Sequence, residues 1–162
     1  MHTIVVFDSL RGNTEQIARS IGAALACTGD VRVLRTTELT VDTGADAWVI
    51  GGPTHNHGLS RPLGSFLDAF PRGSLRGVPV ATFDTRYHYP SFATGSAARR
   101  AAQRLRRTGC RLVAEPQSFF VEEGPKPEGG GRPDPASERL QPGELERARA
   151  WGERLAGLLG AS

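Results

Sequence analysis

Two residues with hydroxyl side chains, one with an amide side chain and a glycine lie close together in the sequence. They follow an apolar stretch and precede a segment whose apolar residues recur with the period of a helix. They occur within FDSLRGNTEQI, residues 7–17, and are Ser9, Gly12, Asn13 and Thr14. A loop that leaves a buried strand and enters a helix presents free N–H groups, and the helix dipole favours an anion there. Gly12 lets the backbone curl close to a ligand. The cluster predicts a nest of donors for a terminal phosphate monoester; a capped helix start, with Asn13 or Thr14 as the cap, is the alternative.

The same loop lacks the residues of two other phosphate sites. It contains no lysine, which a Walker-type loop requires, and no G-x-G-x-x-G pattern follows the first apolar stretch. A dinucleotide pyrophosphate site is therefore not indicated.

Two later loops carry side chains that suit a flat ligand with one polar edge. The first offers Thr54, His55, Asn56 and His57, and the second offers Asp84, Thr85, Arg86, Tyr87, His88 and Tyr89. A planar ring needs planar or aromatic faces above and below it. We expect Tyr87 or Tyr89 to stack on one side, with a histidine or the His–Asn backbone on the other. Simple packing of Tyr89 before Pro90 is the alternative.

Other chemistries have weaker support. His55, His57 and His88 could bind a metal, but no carboxylate or cysteine completes the set. We interpret Asp8 as a hydrogen-bond acceptor that shapes its loop rather than as a base. No Ser–His–Asp or thiolate arrangement stands out.

Apolar, β-branched stretches alternate with helical patterns along the chain. Strands are predicted at 3–7, 31–34, 47–52, 78–83 and 110–116, with an extension of the last over 118–121 left open. Helices are predicted after Asn13, from Pro62 to Phe70, from Ala98 to Gly109, and along the stripe from Leu145 to Leu159. The segment 36–44 is too polar and short for a helix to be assigned.

This alternation predicts an α/β fold, a doubly wound parallel sheet covered by helices on both faces in three layers. Ligands of such folds bind beyond the carboxyl ends of the strands. The loops to search are therefore 8–14, 51–61 and 84–95, which are also the chemically unusual parts of the sequence.

Length and composition limit the number of domains and the class of protein. The 162 residues predict a single domain, 1–162, with a mobile Gly/Pro-rich surface loop at 124–135. No apolar run approaches the length of a membrane span, and the N-terminus lacks signal-peptide features. Cys27 and Cys110 are expected to be buried free thiols, and a cytoplasmic chain is expected.

The charge is dominated by arginine: nineteen arginines and one lysine stand against seventeen acidic residues, a net charge of +3. Six of the arginines fall between residues 99 and 111. We interpret them as a solvated helix face, with a docking patch for an acidic partner as the alternative. Nucleic acid is not favoured, because no base-stacking aromatic residues interleave there.

Three segments resemble the flavodoxin family in register. SLRGNTEQIA is similar to that family's phosphate loop, VIGGPTHNHG to its second loop, and ATFDTRYHYPSFATGSAARR occupies the third loop and following helix. The resemblance covers essentially the whole chain. It implies a five-stranded sheet in the order 2-1-3-4-5 and one bound FMN. On that basis Ser9, Arg11, Gly12, Asn13 and Thr14 match the family's phosphate-binding positions. Together with the two later loops, the residues predicted to bind FMN are Ser9, Leu10, Arg11, Gly12, Asn13, Thr14, Pro53, Thr54, His55, Asn56, His57, Gly58, Asp84, Thr85, Arg86, Tyr87 and Tyr89.

The chain also departs from the family. Arg11 stands where a hydroxyl residue is usual, and it either bonds the phosphate or points into solvent. The second loop has no tryptophan, since Trp48 and Trp151 lie in predicted core elements. Gly58 would allow a peptide flip beside the ring. The protein is basic, whereas flavodoxins that dock on basic reductases are typically acidic.

Three functions follow from the resemblance and its departures. The first is an electron carrier between a reductase and redox acceptors, in which Arg86 would raise the flavin potential and Asp84 would oppose it. The second is an FMN-dependent NAD(P)H:quinone-type oxidoreductase. The third is a flavin-free module that keeps the scaffold and binds a partner.

Overall fold

The computed structural model describes residues 1–39 and 44–160. Its strands and α-helices, in chain order, are β1 His2–Phe7, α1 Asn13–Leu25, β2 Asp30–Arg35, β3 Ala47–His55, β4 Gly58–Leu59, α2 Arg61–Asp68, β5 Pro79–Tyr87, α3 Ser91–Thr94, α4 Ala97–Leu105, β6 Arg111–Leu112, β7 Gln117–Glu122, β8 Arg139–Leu140 and α5 Glu144–Gly160. Short 3-10 helices cover Ala26–Thr28, Arg106–Thr108 and Pro135–Ser137.

The strands form a sheet in the order β2-β1-β3-β5-β7-β8. The pairs from β2 to β7 are parallel, so the predicted order 2-1-3-4-5 is confirmed. Val5 of β1 lies opposite Val49 of β3, which lies opposite Ala81 of β5. This register brings the carboxyl ends of β1, β3 and β5 to one edge, where the three unusual loops emerge.

Alternate residues of the central strands pack into two separate hydrophobic cores, because successive side chains of a strand point to opposite faces of the sheet. Val5 and Phe7 pack with buried residues of α1 and α5 on one face, whereas Ile4 and Val6 pack with residues of α2 and α4 on the other. The three-layer arrangement that the sequence predicts is therefore present. None of the helices in the described ranges has both the length and the apolarity of a membrane span.

Several boundaries differ from the predictions. β3 and β5 continue beyond their apolar parts to His55 and Tyr87, because β4 and β7 extend the pairing there. The fifth predicted strand is divided into β6 and β7, and β8 was not predicted. Apolar periodicity reports burial, whereas these extensions depend on backbone partners distant in sequence.

Other expectations meet a mixed outcome. Cys27 is exposed, so its predicted burial is wrong, and Cys110 is half-buried; both thiols are free. Of the predicted loop 124–135, residues 124–134 contain no helix or strand and are mostly exposed, and Pro135 begins a short 3-10 helix. Of the segment 36–44, residues 40–43 lie outside the described part of the chain, and 36–39 form no helix. The end of the predicted domain, 161–162, also lies outside it.

Candidate functional site

A cavity of about 860 Å³ opens at the carboxyl ends of β1, β3 and β5. Most of the residues selected from sequence line it, namely Ser9, Leu10, Arg11, Asn13, Thr14, Pro53, Thr54, His55, Asn56, His57, Thr85, Arg86 and Tyr87. Gly12, Gly58, Asp84 and Tyr89 are not part of this lining. The volume falls in the usual range of ligand sites.

The loop before α1 is organised around the Ser9 hydroxyl. Its Oγ accepts the N–H of Gly12 at 3.0 Å and that of Glu15 at 3.4 Å. Gly12 has a φ of 84°, a left-handed conformation that favours glycine. A Cβ at Gly12 would meet nothing within 4 Å, so backbone conformation rather than crowding is what requires glycine.

Four N–H groups of this loop and of the first turn of α1 remain available. No hydrogen bond within residues 1–39 and 44–160 uses the backbone N–H of Leu10, Arg11, Asn13 or Thr14. The first N–H groups of a helix have no acceptor inside the helix. These four amides therefore can bind an anion at the cavity wall, and Gly12 rather than Asn13 or Thr14 occupies the cap position of α1.

Thr14 ties the loop to the neighbouring strand. Its Oγ1 lies 2.7 Å from Oγ1 of Thr85 on β5, and both side chains are buried. Either hydroxyl can be the donor. The contact fixes the start of α1 against the sheet, so that the free amides and β5 share one rigid wall.

A segment that sequence reasoning missed covers the loop. The cavity-lining residues after β7 are Glu123, Arg132, Pro133, Asp134, Pro135 and Glu138; Val121 of β7 and Thr94 of α3 also line the cavity. Arg11 Nη1 contacts Oε2 of Glu138 at 2.6 Å, and Asn13 Nδ2 donates to the Glu138 carbonyl at 3.2 Å. Arg11 therefore neither points freely into solvent nor is left unpaired.

The sequence contains a recognisable turn pattern in this segment, at Asp134 and Pro135. Asp134 accepts the N–H of Ala136 at 2.9 Å, and Pro135 begins the short helix, an ordinary helix-start pattern. The pattern predicts a turn at this point. Its position over the cavity depends on the antiparallel pair of Val121 with Leu140.

Tyr87 lines the cavity with its phenol strongly biased toward the neutral form. Burial, first, and then the hydrogen bond and negative charge of Glu138 raise its pKa to about 12. The charge of Glu123 acts in the same direction, and that of Arg11 opposes it. Tyr87 is therefore a neutral hydrogen-bonding group at physiological pH.

The second loop is a tight hairpin turn. His55 pairs with Gly58, and the two residues between them, Asn56 and His57, have φ values of 45° and 65°. Two positive φ values between antiparallel strands are typical of a type I′ turn, for which asparagine is well suited. The left-handed pair is thus at Asn56–His57, whereas Gly58 is buried beside Arg100.

Asp84 lies beneath the cavity. It is fully buried, and its Oδ2 accepts the hydroxyl of Ser96 at 2.6 Å, the N–H of Ala98 at 3.0 Å and the hydroxyl of Thr54 at 3.2 Å. These contacts hold the start of α4 against β3 and β5. The residue organises the loops around the cavity rather than contributing to its lining.

Arg86 of β5 holds the loop that follows β5 in place through hydrogen bonds. Its Nε donates to Ser118 Oγ at 2.9 Å, and its Nη1 donates to the Tyr89 carbonyl at 2.5 Å and Thr94 Oγ1 at 3.2 Å. Tyr89 itself is 62% exposed and outside the cavity. The sequence left open whether Tyr87 or Tyr89 stacks on the ligand. Of the two, only Tyr87 lines the cavity.

The remaining candidates have structural contacts. Asp8 accepts the hydroxyl of Ser60 at 2.5 Å, as expected of a residue that shapes its loop. His88 stacks on the Phe120 ring with 3.9 Å between centroids and is not part of the cavity lining, whereas His55 and His57 are. Within the described residues, no group of three His, Cys, Asp or Glu side chains is placed to hold a metal ion.

Comparison with known proteins finds solved structures with a similar fold, and no match in sequence. No family model matches the chain, and no curated protein matches it in sequence. A flavodoxin from the domain Archaea matches over 99% of both chains, with 20% identity and a TM-score of 0.73. Oxidised Flavodoxin 2 from Bacillus cereus matches over 99% of both chains, with 22% identity and a TM-score of 0.69. The flavodiiron protein from Giardia intestinalis matches over 99% of this chain and 36% of its own, with 19% identity and a TM-score of 0.74.

Proposed function

We propose that this chain, whose fold is flavodoxin-like, binds one FMN in the cavity and passes electrons between redox proteins. The observation that carries the proposal is the set of four unused N–H groups of Leu10, Arg11, Asn13 and Thr14, cavity-lining residues at the N-terminus of α1. Such groups are the usual ligands of a phosphate.

The donors of this loop fit a phosphate monoester. Ser9 Oγ accepts two N–H groups, so its own hydrogen is free to donate to a ligand oxygen. The four amides and this hydroxyl supply neutral donors. Arg11 adds a positive charge at the same place, and the Glu138 carboxylate offsets it.

The other parts of the lining fit a planar ring with a polar edge. We assign the ring to the space bordered by Tyr87 and the turn at Asn56 and His57. The neutral phenol and the backbone of the turn would orient the ring, while the covering segment before β8 would exclude water. FMN would supply the redox chemistry, and the chain would tune it through charge, hydrogen bonds and solvent access.

Flavin titration tests the binding proposal. The flavin-free protein is titrated with FMN and with riboflavin, which lacks the phosphate, and binding is followed by flavin absorbance and fluorescence. We expect FMN to bind at least about tenfold more tightly, because charge-assisted hydrogen bonds to phosphate are strong. No binding at micromolar FMN, or equal affinity for both flavins, would overturn the phosphate assignment.

Two serine variants test whether Ser9 contributes to phosphate binding. Ser9→Ala removes the hydroxyl that organises the loop, so FMN affinity should fall while riboflavin affinity changes little. Ser20→Ala is the matched control, since this hydroxyl of α1 donates to the Leu145 carbonyl and Ser20 is not part of the cavity lining. Equal effects of the two changes would argue against a phosphate site at Ser9.

Turnover with NADPH and a quinone separates the carrier from the enzyme. A carrier with FMN bound should reduce the quinone rapidly only when a flavodoxin reductase is added. Rapid oxidation of NADPH by the protein alone would support the oxidoreductase instead.

A further inference from the structure

Among the described residues, the most exposed large apolar side chains lie in the loop after β1 and in the segment after β5 that contains α3. Phe92 is 92% exposed, Leu10 is 68% exposed and Tyr89 is 62% exposed. Leu10 follows β1, and the two aromatic residues follow β5. Tyr89 and Phe92 are three residues apart in the chain, and exposed aromatic residues are frequent anchors of protein interfaces.

An arginine-rich groove of about 610 Å³ adjoins the same cavity. It shares His55 and Asn56 with the cavity, and its other walls include Arg61, Arg100 and Arg104. All three arginines are exposed. Of these three, only Arg104 contacts a carboxylate among the residues that the structure describes, namely Asp68 at 3.3 Å.

A chain of contacts joins the segment after β5, which carries Tyr89 and Phe92, to the arginine-rich groove. Arg86 holds the loop through the Tyr89 carbonyl and Thr94, and Gly95, next along the chain, packs tightly against the His57 backbone. The His57 carbonyl in turn accepts Nε of Arg100 at 3.2 Å. The turn of the β3–β4 hairpin therefore joins α3 to α4 at the cavity mouth.

We propose that this surface, defined by Tyr89, Phe92, Arg61, Arg100 and Arg104 and called here the docking face, binds an acidic redox protein. The proposal rests on the proposed function, because a redox partner must bring its cofactor to the mouth of the flavin cavity. Aromatic anchors beside a charged rim are the usual anatomy of a protein interface.

Charge decides the kind of partner. Residues 97–111 contain six arginines and no acidic residue, and the chain has a net charge of +3. Opposite potentials accelerate encounter and select the partner's orientation. A basic partner would be repelled by Arg61 and Arg100, whose guanidinium groups have no carboxylate partner within the described ranges.

The test uses two redox proteins of opposite charge as probes. The isotope-labelled protein, with and without FMN, is titrated with an acidic plant-type [2Fe–2S] ferredoxin and with basic cytochrome c, and amide resonances are followed. We expect ferredoxin to perturb α3, the hairpin turn and α4, and cytochrome c to leave them unchanged. The perturbation should disappear above about 0.3 M salt, because screening shortens the reach of exposed charges.

Matched variants locate the interface. The double change Arg100→Glu with Arg104→Glu should weaken ferredoxin binding at least about tenfold, and Phe92→Ser should weaken it severalfold without altering its salt dependence. The double change Arg149→Glu with Arg154→Glu is the charge-matched control, because both exposed arginines lie on α5, which packs on the opposite face of the sheet from α4. It should change the affinity less than about twofold.

Several results would overturn the proposal. These are equal binding of both probes, equal weakening by the control variant, and tighter binding of anionic phosphatidylglycerol vesicles or duplex DNA than of ferredoxin. A dimer that Phe92→Ser dissociates would assign the face to a second copy of the chain. The experiment on the FMN-free protein separates failure of the docking face from failure of the flavin site.

Discussion

Nη1 of Arg11 lies 2.6 Å from Oε2 of Glu138, and this contact joins the loop before α1 to the segment before β8. The carboxylate is mostly covered, with its side chain 13% exposed, and the same residue accepts the Asn13 amide through its carbonyl. The covering segment is therefore attached directly to the proposed phosphate loop. A bound phosphate and Glu138 would compete for the same guanidinium.

Glu138→Gln should raise the affinity for FMN about five- to tenfold and leave that for riboflavin within about twofold. The change removes the carboxylate that competes with the phosphate for Arg11. Fluorescence titration with both flavins measures it. Glu122→Gln is the control, because Glu122 pairs with Arg139 at 2.7 Å outside the cavity lining. Equal gains for FMN and riboflavin would show that Glu138 does not act on the phosphate.

Thr14→Val should lower the free energy of unfolding by about 1–3 kcal/mol, because it leaves the buried Thr85 hydroxyl without its partner. Denaturant unfolding monitored by circular dichroism measures the loss. Thr14→Ser keeps the hydroxyl and should recover most of the hydrogen-bond contribution. If serine and valine are equally destabilising, the contact between the two threonines is not the source of the loss.

The Tyr87 phenol should ionise near pH 12 in alkaline titration of tyrosinate absorbance. The chain has two tyrosines, so Tyr87→Phe should remove this late transition and Tyr89→Phe should retain it. Glu138→Gln should lower the pKa of Tyr87, because Glu138 raises it by hydrogen bond and charge.

The same phenol links stability to pH. Its folded pKa of about 12 is above the ordinary value of 10.0, so the folded state binds the proton more tightly than the unfolded chain. This contribution to stability is fully present below about pH 10 and is lost as the pH rises toward 12. Unfolding of wild type and Tyr87→Phe across this range measures it. A difference between them that is independent of pH would contradict the assignment.

Cys27 should react with a disulfide reagent in the native protein at least about tenfold faster than Cys110. Cys27 is exposed, whereas burial raises the pKa of the Cys110 thiol and reduces its thiolate fraction. Absorbance of the released thiolate follows the two phases. Cys27→Ser should abolish the fast phase only; two phases of equal rate would show that both thiols are similarly accessible.

The sequence by itself predicts the order of the main elements and the loops that line the cavity. Val5 and Val49 belong to apolar, β-branched strands, and Ile17 and Ile21 to a helical stripe, so local periodicity is sufficient to specify strand, helix and buried face. Parallel pairing then places the ends of these strands at one edge, which is why Ser9, His55 and Tyr87 reach the same cavity.

The tertiary structure alone decides which partners the charged and polar side chains take. Asp84 follows apolar residues of a strand and is adjacent in sequence to cavity residues, yet it accepts hydrogen bonds from Ser96 and Ala98 beneath the cavity. Arg11 finds its carboxylate only because β8 pairs antiparallel with β7 and returns Glu138 to the loop. Periodicity reports burial along one element, whereas such contacts depend on segments far apart in the chain.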